Sequence, residues 1–316
     1  MRIAYATDLH GNKGLYERLF EEKVDAVVIG GDILPNYVVG TEIGFETISN
    51  DEYFRMMANN QRKFLLEYLV PKFEGIKKKG KKEVYIMMGN DDFSCNLDIL
   101  EQAEKDGLLK LLYDKKNEKP KIHEISKDVF IAGYCYVPLT PFGIKDWEKF
   151  DRDEKPQRDC SFFGYKSCKN DEGCIIRGVN LDTPAYRKDN IAKDLESFAS
   201  DAGKERIGKT IMVIHSPPSN TVHDRAGFHE GWRHVGSIAI REFIEKYQPL
   251  LTLHGHIHES YKLTGEYKQN IGKTICVNPG TDKYNLYSVI FDSDNISDMR
   301  IVVKKAKEIE EKPRGP

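Results

Sequence analysis

The chain has 316 residues, of which 40% are hydrophobic, so it can bury the core of one large domain or of two. Its formal net charge is −2, from 48 basic and 50 acidic side chains, which gives no overall argument for binding nucleic acid or a membrane surface. No apolar run is long enough to span a membrane and no signal peptide precedes the first strand, so we expect a cytoplasmic protein, and its six scattered cysteines fit a reducing compartment.

The first half of the chain alternates apolar runs typical of buried strands with amphipathic runs typical of helices. The predicted strands cover residues 2–7, 26–30, 84–88 and 129–134. A long helix is predicted from about residue 53 towards residue 79, and Pro71 should kink or break it because proline lacks the amide hydrogen that a helix needs. Residues 34–52 mix Pro, Gly, Asn and Thr, which predicts a long loop near the site.

The second half is less regular. Residues 138–184 are polar, aromatic and Gly-rich without sustained periodicity, which we interpret as an insertion packed beside the cleft or acting as a lid. Helices are predicted near residues 187–200 and 235–247, and strands over residues 210–214 and 249–253, with short β runs up to residue 303. We therefore predict one α/β sandwich domain with mixed sheets over residues 1–303. The charged tail, residues 304–316, should be partly helical and then disordered.

Polar side chains stand where the predicted strands end. Their positions in chain order are Asp8, His10, Asp32, Asn90, His215, His256 and His258. Because ligands bind at the carboxyl edge of open α/β sheets, we expect these side chains to converge there. Carboxylate and amide oxygens combined with imidazoles suit manganese, iron, zinc, cobalt or nickel. Asp32 can bridge two such ions at about 3.5–4 Å, a spacing suited to displacement at phosphorus.

The chain resembles the calcineurin-like metallophosphoesterases in five motifs that occur in the same order. These motifs are Asp8-x-His10, Gly31-Asp32, Gly89-Asn90-Asp91, His215 and Gly255-His256-x-His258. The segment His215-Ser216-Pro217-Pro218, followed by Gly236-Ser237, is similar to a bacterial and archaeal subgroup of Icc-related predicted phosphoesterases. The resemblance implies a four-layer αββα sandwich with two divalent ions, manganese favoured. It implies that one ion is held by Asp8, His10, Asp32 and His258, and the other by Asp32, Asn90, His215 and His256.

The third motif departs from the family pattern. The family usually has a histidine after Gly-Asn, and that histidine helps the leaving group or the phosphate oxygens, whereas this chain has Asp91. A carboxylate beside two cations is pushed towards its ionised form and donates protons poorly, so Asp91 is expected to orient another group. We hypothesise that one of His223, His229 and His234, in the loop after His215, contacts phosphate or protonates the leaving group, with His234 and His229 as the first candidates.

The resemblance implies a dinuclear phosphoesterase that cleaves a small phosphodiester or phosphomonoester through a metal-bound hydroxide. Loss of the usual histidine favours diesters or good leaving groups. The alternatives are a binding scaffold that has lost its chemistry and a nuclease. A degraded scaffold should have lost ligands, whereas every ligand position here is filled, and a nuclease needs a basic groove that the charge balance does not supply.

Other conspicuous residues have simpler interpretations. His254 is expected to pack behind the site instead of binding metal. A zinc site at Cys160, Cys168 and Cys174 matches no common spacing, so free or buried thiols are the preferred interpretation. The lysine-rich run at residues 77–82 is expected to be a solvated helix end, not a nucleic-acid contact.

Overall fold

The computed structural model describes residues 1–37, 49–80, 82–154, 160–170, 173–229 and 231–309. In chain order, its strands are β1 (Arg2–Ala6), β2 (Ala26–Gly30), β3 (Glu83–Met87), β4 (Lys110–Leu111), β5 (Tyr113–Asp114), β6 (Lys119–Pro120), β7 (His123–Ser126), β8 (Val129–Tyr134), β9 (Val137–Pro138), β10 (Glu148–Lys149), β11 (Phe163–Asn170), β12 (Gly173–Asn180), β13 (Thr210–Ile214), β14 (Arg225–Phe228), β15 (Gly231–His234), β16 (Leu251–Leu253), β17 (Lys268–Ile271), β18 (Thr274–Val277), β19 (Asn285–Asp292) and β20 (Asn295–Lys305). Its α-helices are α1 (Lys13–Phe20), α2 (Asn50–Phe64), α3 (Val70–Lys79), α4 (Leu97–Lys105), α5 (Pro184–Lys188), α6 (Ile191–Ala202), α7 (Lys204–Ile207), α8 (Ile238–Tyr247) and α9 (Ser260–Thr264).

Two six-stranded mixed sheets form the centre of the described part of the chain. The first has the order β20-β19-β1-β2-β3-β4, with β1 to β4 parallel and β19 and β20 antiparallel. The second has the order β17-β18-β16-β13-β8-β7, with the four inner strands parallel and both edge strands antiparallel. Inner strands such as β2 and β13 are buried along their whole length, because both faces of a parallel sheet are covered.

Side chains from both sheets belong to one hydrophobic core, and the helices contribute to it from outside. Phe64 and Phe73 enter this core from α2 and α3, whereas Ile240 and Phe243 enter it from α8. Across the two sheets, the Tyr5 hydroxyl donates to the His254 carbonyl at 2.8 Å. The predicted sandwich of helix, sheet, sheet and helix layers is confirmed.

The long helix predicted to break at Pro71 is divided slightly earlier. A π-helical turn, Leu65–Leu69, joins α2 to α3, and Pro71 lies in the first turn of α3, where a missing amide hydrogen costs little. The helix begins at Asn50 and not at residue 53, because Ser49 caps it by accepting a hydrogen bond from the Glu52 amide at 3.3 Å. Most of the predicted loop near the site, residues 38–48, lies outside the described residues.

The predicted insertion contains a long antiparallel hairpin, β11 and β12, which packs against α2. The Phe54 and Tyr165 ring centroids lie 4.7 Å apart at this contact. A disulfide joins Cys95 to Cys174, so the prediction of reduced cysteines is wrong for this pair, and the alternative of a three-cysteine zinc site is excluded. Cys168 is an exposed free thiol, as the preferred interpretation has it for that residue, and Cys135 and Cys276 are buried thiols.

The C-terminal tail also differs from its prediction. Lys304 and Lys305 are the last residues of β20, and the described residues that follow them up to Ile309 are not helical. The alternating pattern of β20 continues past residue 303 because it pairs with β19 as far as Asn285 opposite Lys305. Residues 310–316 lie outside the described part of the chain.

Candidate metal centre

The turns after β1 and β2 bring the first group of predicted ligands together. One ligand atom from each of four side chains lies within 4.8 Å of the others, and these side chains are Asp8, His10, Asp32 and His258. The Nε2 atoms of His10 and His258 are 3.1 Å apart, and His258 Nε2 is 3.3 Å from an Asp8 oxygen. These four residues are the set that the resemblance implies for one ion.

The second group adjoins the first through the buried carboxylate of Asp32. His215 Nε2 lies 3.4 Å from an Asp32 oxygen and 3.1 Å from Asn90 Oδ1. The ring of His256 packs against that of His215 with centroids 5.5 Å apart. His256 is also tied to the first group, since its amide donates to the Asp8 carboxylate at 3.1 Å. All seven predicted metal ligands therefore meet in one connected cluster.

Backbone strain is concentrated at these ligands. Four of them have a positive φ that side chains with a Cβ rarely adopt: Asp8 (55°), His10 (42°), Asp32 (48°) and His256 (66°). Such a conformation costs of order 1–3 kcal/mol and persists only where the surrounding structure determines it. The backbone bonds that hold these turns include Asp8 N–H to the Gly31 carbonyl at 3.0 Å and His10 N–H to the Asp32 carbonyl at 2.9 Å.

Two motif glycines allow the close approach of the ligand turns. A Cβ on Gly89 would overlap the Asp32 carboxylate and the His215 ring, and one on Gly255 would overlap Thr7 and the Asp8 carboxylate. The glycines therefore belong to the motifs because no larger residue fits between the ligands.

The carboxylates and imidazoles of the cluster stabilise one another's charged forms. Burial opposes ionisation of Asp8 and Asp32, but the imidazoles of His258 and His215 outweigh it and lower the pKa of both carboxyls. Burial likewise opposes the charged imidazoles, yet the carboxylates raise the pKa of His215 to about 10 and that of His258 to about 9. Burial and the neighbouring His215 lower the pKa of His256 to about 3. Divalent cations would take the place of these protons, so the donor set fits metal ions.

Asp91 lies at the edge of the cluster, beside His10. One Asp91 oxygen is 3.7 Å from His10 Nδ1, a buried atom that has no hydrogen-bond partner among the described residues. The same carboxylate accepts hydrogen bonds from the side-chain amides of Asn36 and Asn90, each at 3.0 Å. Its backbone amide donates to Asp32 at 2.8 Å. The carboxylate thus lies beside the His10 ring, and its role in orienting another group stays a prediction.

The two histidines predicted to aid the leaving group lie on or beside an exposed hairpin, β14 and β15. His234 Nδ1 is 2.7 Å from an oxygen of the buried Asp224, and His229 is exposed in the turn. Within the described residues, no hydrogen bond joins either imidazole to the seven ligands, so their role stays a prediction.

His254, by contrast, packs behind the site as predicted. Its Nδ1 lies 2.9 Å from the carbonyls of Ile214 and Ser216, and its Nε2 lies 2.8 Å from the Thr252 hydroxyl. The fully buried ring therefore bonds protein groups on both sides and has no nitrogen left for a metal.

Asn278 is a residue of the site that the sequence analysis did not identify. Its side-chain amide donates to the carbonyls of Gly255 and Ile257 at 3.3 Å, and to that of His223 at 3.2 Å. Three residues later, Thr281 donates its amide to the His258 carbonyl at 3.1 Å. These bonds hold the backbone on which His256 and His258 stand. Asn278 follows strand β18 directly, so the rule that identified the ligands would have found it.

Asp92 was also missed, although it adjoins the third motif. Its buried carboxylate accepts the amides of Gly89 at 2.8 Å, Ile33 at 3.0 Å and Leu34 at 2.8 Å. It thereby ties the turn after β2 to the turn after β3, so that Asp32 and Asn90 keep their spacing.

A cleft of about 1060 Å³ opens from the metal cluster. The predicted ligands Asp8, His10 and His258 line part of it, and the rest of the lining comes from the start of α1, from α2 and from the segment Thr281–Lys283, among other residues. Its volume slightly exceeds the range of about 300–1,000 Å³ that is usual for small-molecule sites.

A family model described as calcineurin-like phosphoesterase matches residues 1–260. An uncharacterized protein of Methanocaldococcus jannaschii is 38% identical over 85 residues, which are 26% of this chain and 36% of that protein. The chain thus matches about a third of the length of this curated relative.

Among solved structures, one crystal structure is similar over 97% of this chain and 99% of its own, with a TM-score of 0.58 and 16% identity, which shows a shared fold alone. A protein of Thermus thermophilus has a TM-score of 0.47 at 13% identity, over 97% of this chain and 99% of its own. A metallophosphoesterase from Sphaerobacter thermophilus has a TM-score of 0.31 at 11% identity, over 97% of this chain and 89% of its own. A membrane-spanning helix would need a longer and more apolar stretch than any helix in the described part of the chain provides.

Proposed function

The chain belongs to the calcineurin-like phosphoesterase family, and from that premise we propose that it hydrolyses a small phosphodiester or phosphomonoester at a dinuclear metal centre. The observation that carries the proposal is the cluster itself, in which the ligand atoms of Asp8, His10, Asp32 and His258 lie within 4.8 Å of one another. Polar residues that only cap loops would not bring two carboxylates and two imidazoles this close together, whereas metal ligands must.

Two divalent cations, with manganese favoured, would polarise the phosphoryl oxygens and activate water for attack at phosphorus. Asp8, His10, Asp32 and His258 would hold one of them. Asp32, Asn90, His215 and His256 would hold the other. At least one of these ligands is already oriented by the protein: His215 Nδ1–H can donate to the Gly30 carbonyl at 2.9 Å, so that Nε2, once it has lost its proton, would bind the metal.

We assign Asp91 to positioning and not to proton donation. Its carboxylate faces His10 Nδ1 at 3.7 Å, so a small rotation completes a hydrogen bond that holds His10 Nε2 towards the cation. Asp91→Asn should then lower manganese affinity as well as turnover, because the amide orients the imidazole less well. Unchanged affinity in calorimetric titration would remove this role.

With Asp91 in that role, leaving-group assistance falls to His234 or His229, and His234 is the better placed because Asp224 fixes its ring. Substrates with good leaving groups, such as p-nitrophenyl esters, need little proton donation. Replacing each histidine with alanine should therefore slow poor leaving groups more than p-nitrophenolate. Equal rates for all substrates in both variants would rule out the two residues.

The central experiment is hydrolysis of bis-p-nitrophenyl phosphate and p-nitrophenyl phosphate in the presence of manganese, nickel or a chelator. We expect metal-dependent turnover that is lost in Asp32→Asn, while Asp25→Asn, an exposed aspartate at the opposite end of the sheet, retains it. The preferred ester then identifies the substrate class. A protein that binds no metal and shows no turnover would instead be a binding scaffold of the family.

A further inference from the structure

The cleft is much larger than a single phosphoryl group requires. It is lined by the metal ligands Asp8, His10 and His258, by the start of α1, and by Lys63 and Tyr68 on and after α2. A phosphate bound at the metal centre would fill only part of this volume. The rest of the cleft is therefore available to the remainder of the substrate, and its chemistry indicates what that remainder is.

Four lysines line the cleft: Lys13, Lys63, Lys283 and Lys307. Two of them have carboxylate partners, since Lys63 lies 3.8 Å from Glu67 and Lys307 pairs with Glu21. Lys13 and Lys283 have no carboxylate within ion-pair distance among the described residues; each instead lies near an aromatic ring, Lys13 at 5.6 Å from the centroid of Tyr68 and Lys283 at 4.9 Å from that of Tyr284.

The acidic residues of the cleft are already neutralised. Asp282 forms an ion pair with Lys262 at 2.9 Å and accepts a hydrogen bond from the Tyr287 hydroxyl at 3.1 Å. Glu67 has Lys63 beside it. Apart from the metal ligand Asp8, the lining thus offers no carboxylate without a cationic neighbour, so the positive charge of Lys13 and Lys283 remains available to a ligand.

Both lysines are held near the metal centre by the backbone. Asn12 caps α1 with its side-chain oxygen, and its side-chain amide donates to the Lys283 carbonyl at 2.9 Å. Two residues before Lys283, Thr281 bonds the carbonyls of His258 at 3.1 Å and Asp8 at 3.3 Å. Lys13 itself stands three residues after the ligand His10. The segments that carry the two lysines are therefore fixed to the same turns that carry the metal ligands.

We propose that Lys13 and Lys283 form a subsite for a second anionic group of the substrate. The inference rests on the proposed function: the metal centre takes the scissile phosphoester, and the subsite takes a second phosphate or a carboxylate of the same small molecule. Cations flanking a cleft attract such a group and add affinity that a substrate with one phosphate does not gain.

The test uses phosphonates, which cannot be hydrolysed, so that binding is separated from catalysis. Calorimetric titration of the manganese-loaded protein compares pentylphosphonate with pentane-1,5-diylbisphosphonate and 6-phosphonohexanoate. We expect the bisphosphonate to bind about tenfold more tightly than pentylphosphonate, from two partly exposed charge pairs. An equal gain with 6-phosphonohexanoate identifies a general anion subsite, whereas a gain with the bisphosphonate alone identifies a phosphate subsite.

The double variant Lys13→Met with Lys283→Met should lose this gain, and the loss should be larger for the bisphosphonate than for pentylphosphonate. Lys78→Met, an exposed lysine on α3 outside the cleft, serves as the matched control and should retain it. Equal affinity of the wild type for the two phosphonates, or a gain that survives in the double variant, overturns the subsite.

Turnover of bis-p-nitrophenyl phosphate by the same preparation tests the proposed function separately. If the protein shows no turnover and binds no metal, the titrations are repeated without manganese. A preference for the bisphosphonate that the double lysine variant loses then supports the subsite, even though the catalytic proposal has failed.

Discussion

Replacement of Asn278 by alanine tests whether a residue that touches no metal nevertheless holds the metal ligands in place. The side chain is fully buried, and it serves three carbonyls through its amide nitrogen and the Gly280 amide through its oxygen at 2.9 Å. Alanine leaves buried polar groups without partners, and each such group costs about 1–3 kcal/mol. Because two of the three carbonyls belong to Gly255 and Ile257, part of this loss appears as disorder of the turn that carries His256 and His258.

We therefore expect Asn278→Ala to lower the free energy of unfolding by about 2–3 kcal/mol and manganese affinity by about 10–100-fold, the usual effect of removing a group that supports metal ligands. Urea denaturation of the metal-free protein measures the first quantity, and calorimetric titration of the folded protein with manganese measures the second.

Asn96→Ala is the matched control. Asn96 is equally buried, but its amide donates to the Ala58 carbonyl on α2 at 3.0 Å and serves no ligand turn. This variant should lose stability while its manganese affinity remains that of the wild type. The reasoning is refuted if Asn278→Ala binds manganese normally, or if Asn96→Ala loses as much affinity, because the effect would then come from general destabilisation.

Three further outcomes are expected. The Cys95–Cys174 disulfide joins residues 79 positions apart, so Cys174→Ser should lower the free energy of unfolding by about 4 kcal/mol in urea, while replacement of the exposed Cys168 by serine should not. Manganese affinity should rise between pH 6 and pH 9. Burial opposes the charge on His215 and His258, yet Asp32 and Asp8 raise their pKa values to about 10 and about 9. Both imidazoles therefore hold a proton that cation binding must release, and this competing protonation weakens as the pH rises. Affinity independent of pH, and of the buffer's ionisation enthalpy, would contradict this linkage. Gly89→Ala should reduce the metal content measured by elemental analysis, because the new Cβ overlaps Asp32 and His215, whereas Gly75→Ala, with open space at its Cβ on α3, should keep both ions; two ions in Gly89→Ala would show that the turn adapts.

The sequence by itself determined the parts of the site that depend on local order. A short apolar run predicts a strand, and the polar residue that follows it must stand at the strand's carboxyl end, whichever neighbour the strand has. For that reason Asp8, Asp32, Asn90 and His215 were placed correctly at the end of their strands before any contact between them was known. The family pattern then added the prediction of which of them share an ion.

Only the tertiary structure decided the features that depend on how distant segments pack. The pairing of Cys95 with Cys174 requires hairpin β11–β12 to lie against the turn that carries Cys95, where the Cys95 amide donates to the Ser167 hydroxyl at 3.0 Å, and no local pattern encodes that contact. The support that Asn278 gives to the ligand turn likewise arises where β18 runs parallel to β16, with Thr252 opposite Cys276. Whether Lys13 and Lys283 have carboxylate partners depends on the paths of separate segments through space. Strand periodicity is a property of neighbouring residues, whereas these contacts are set by the register and packing of elements far apart in the chain, and only the folded molecule contains that information.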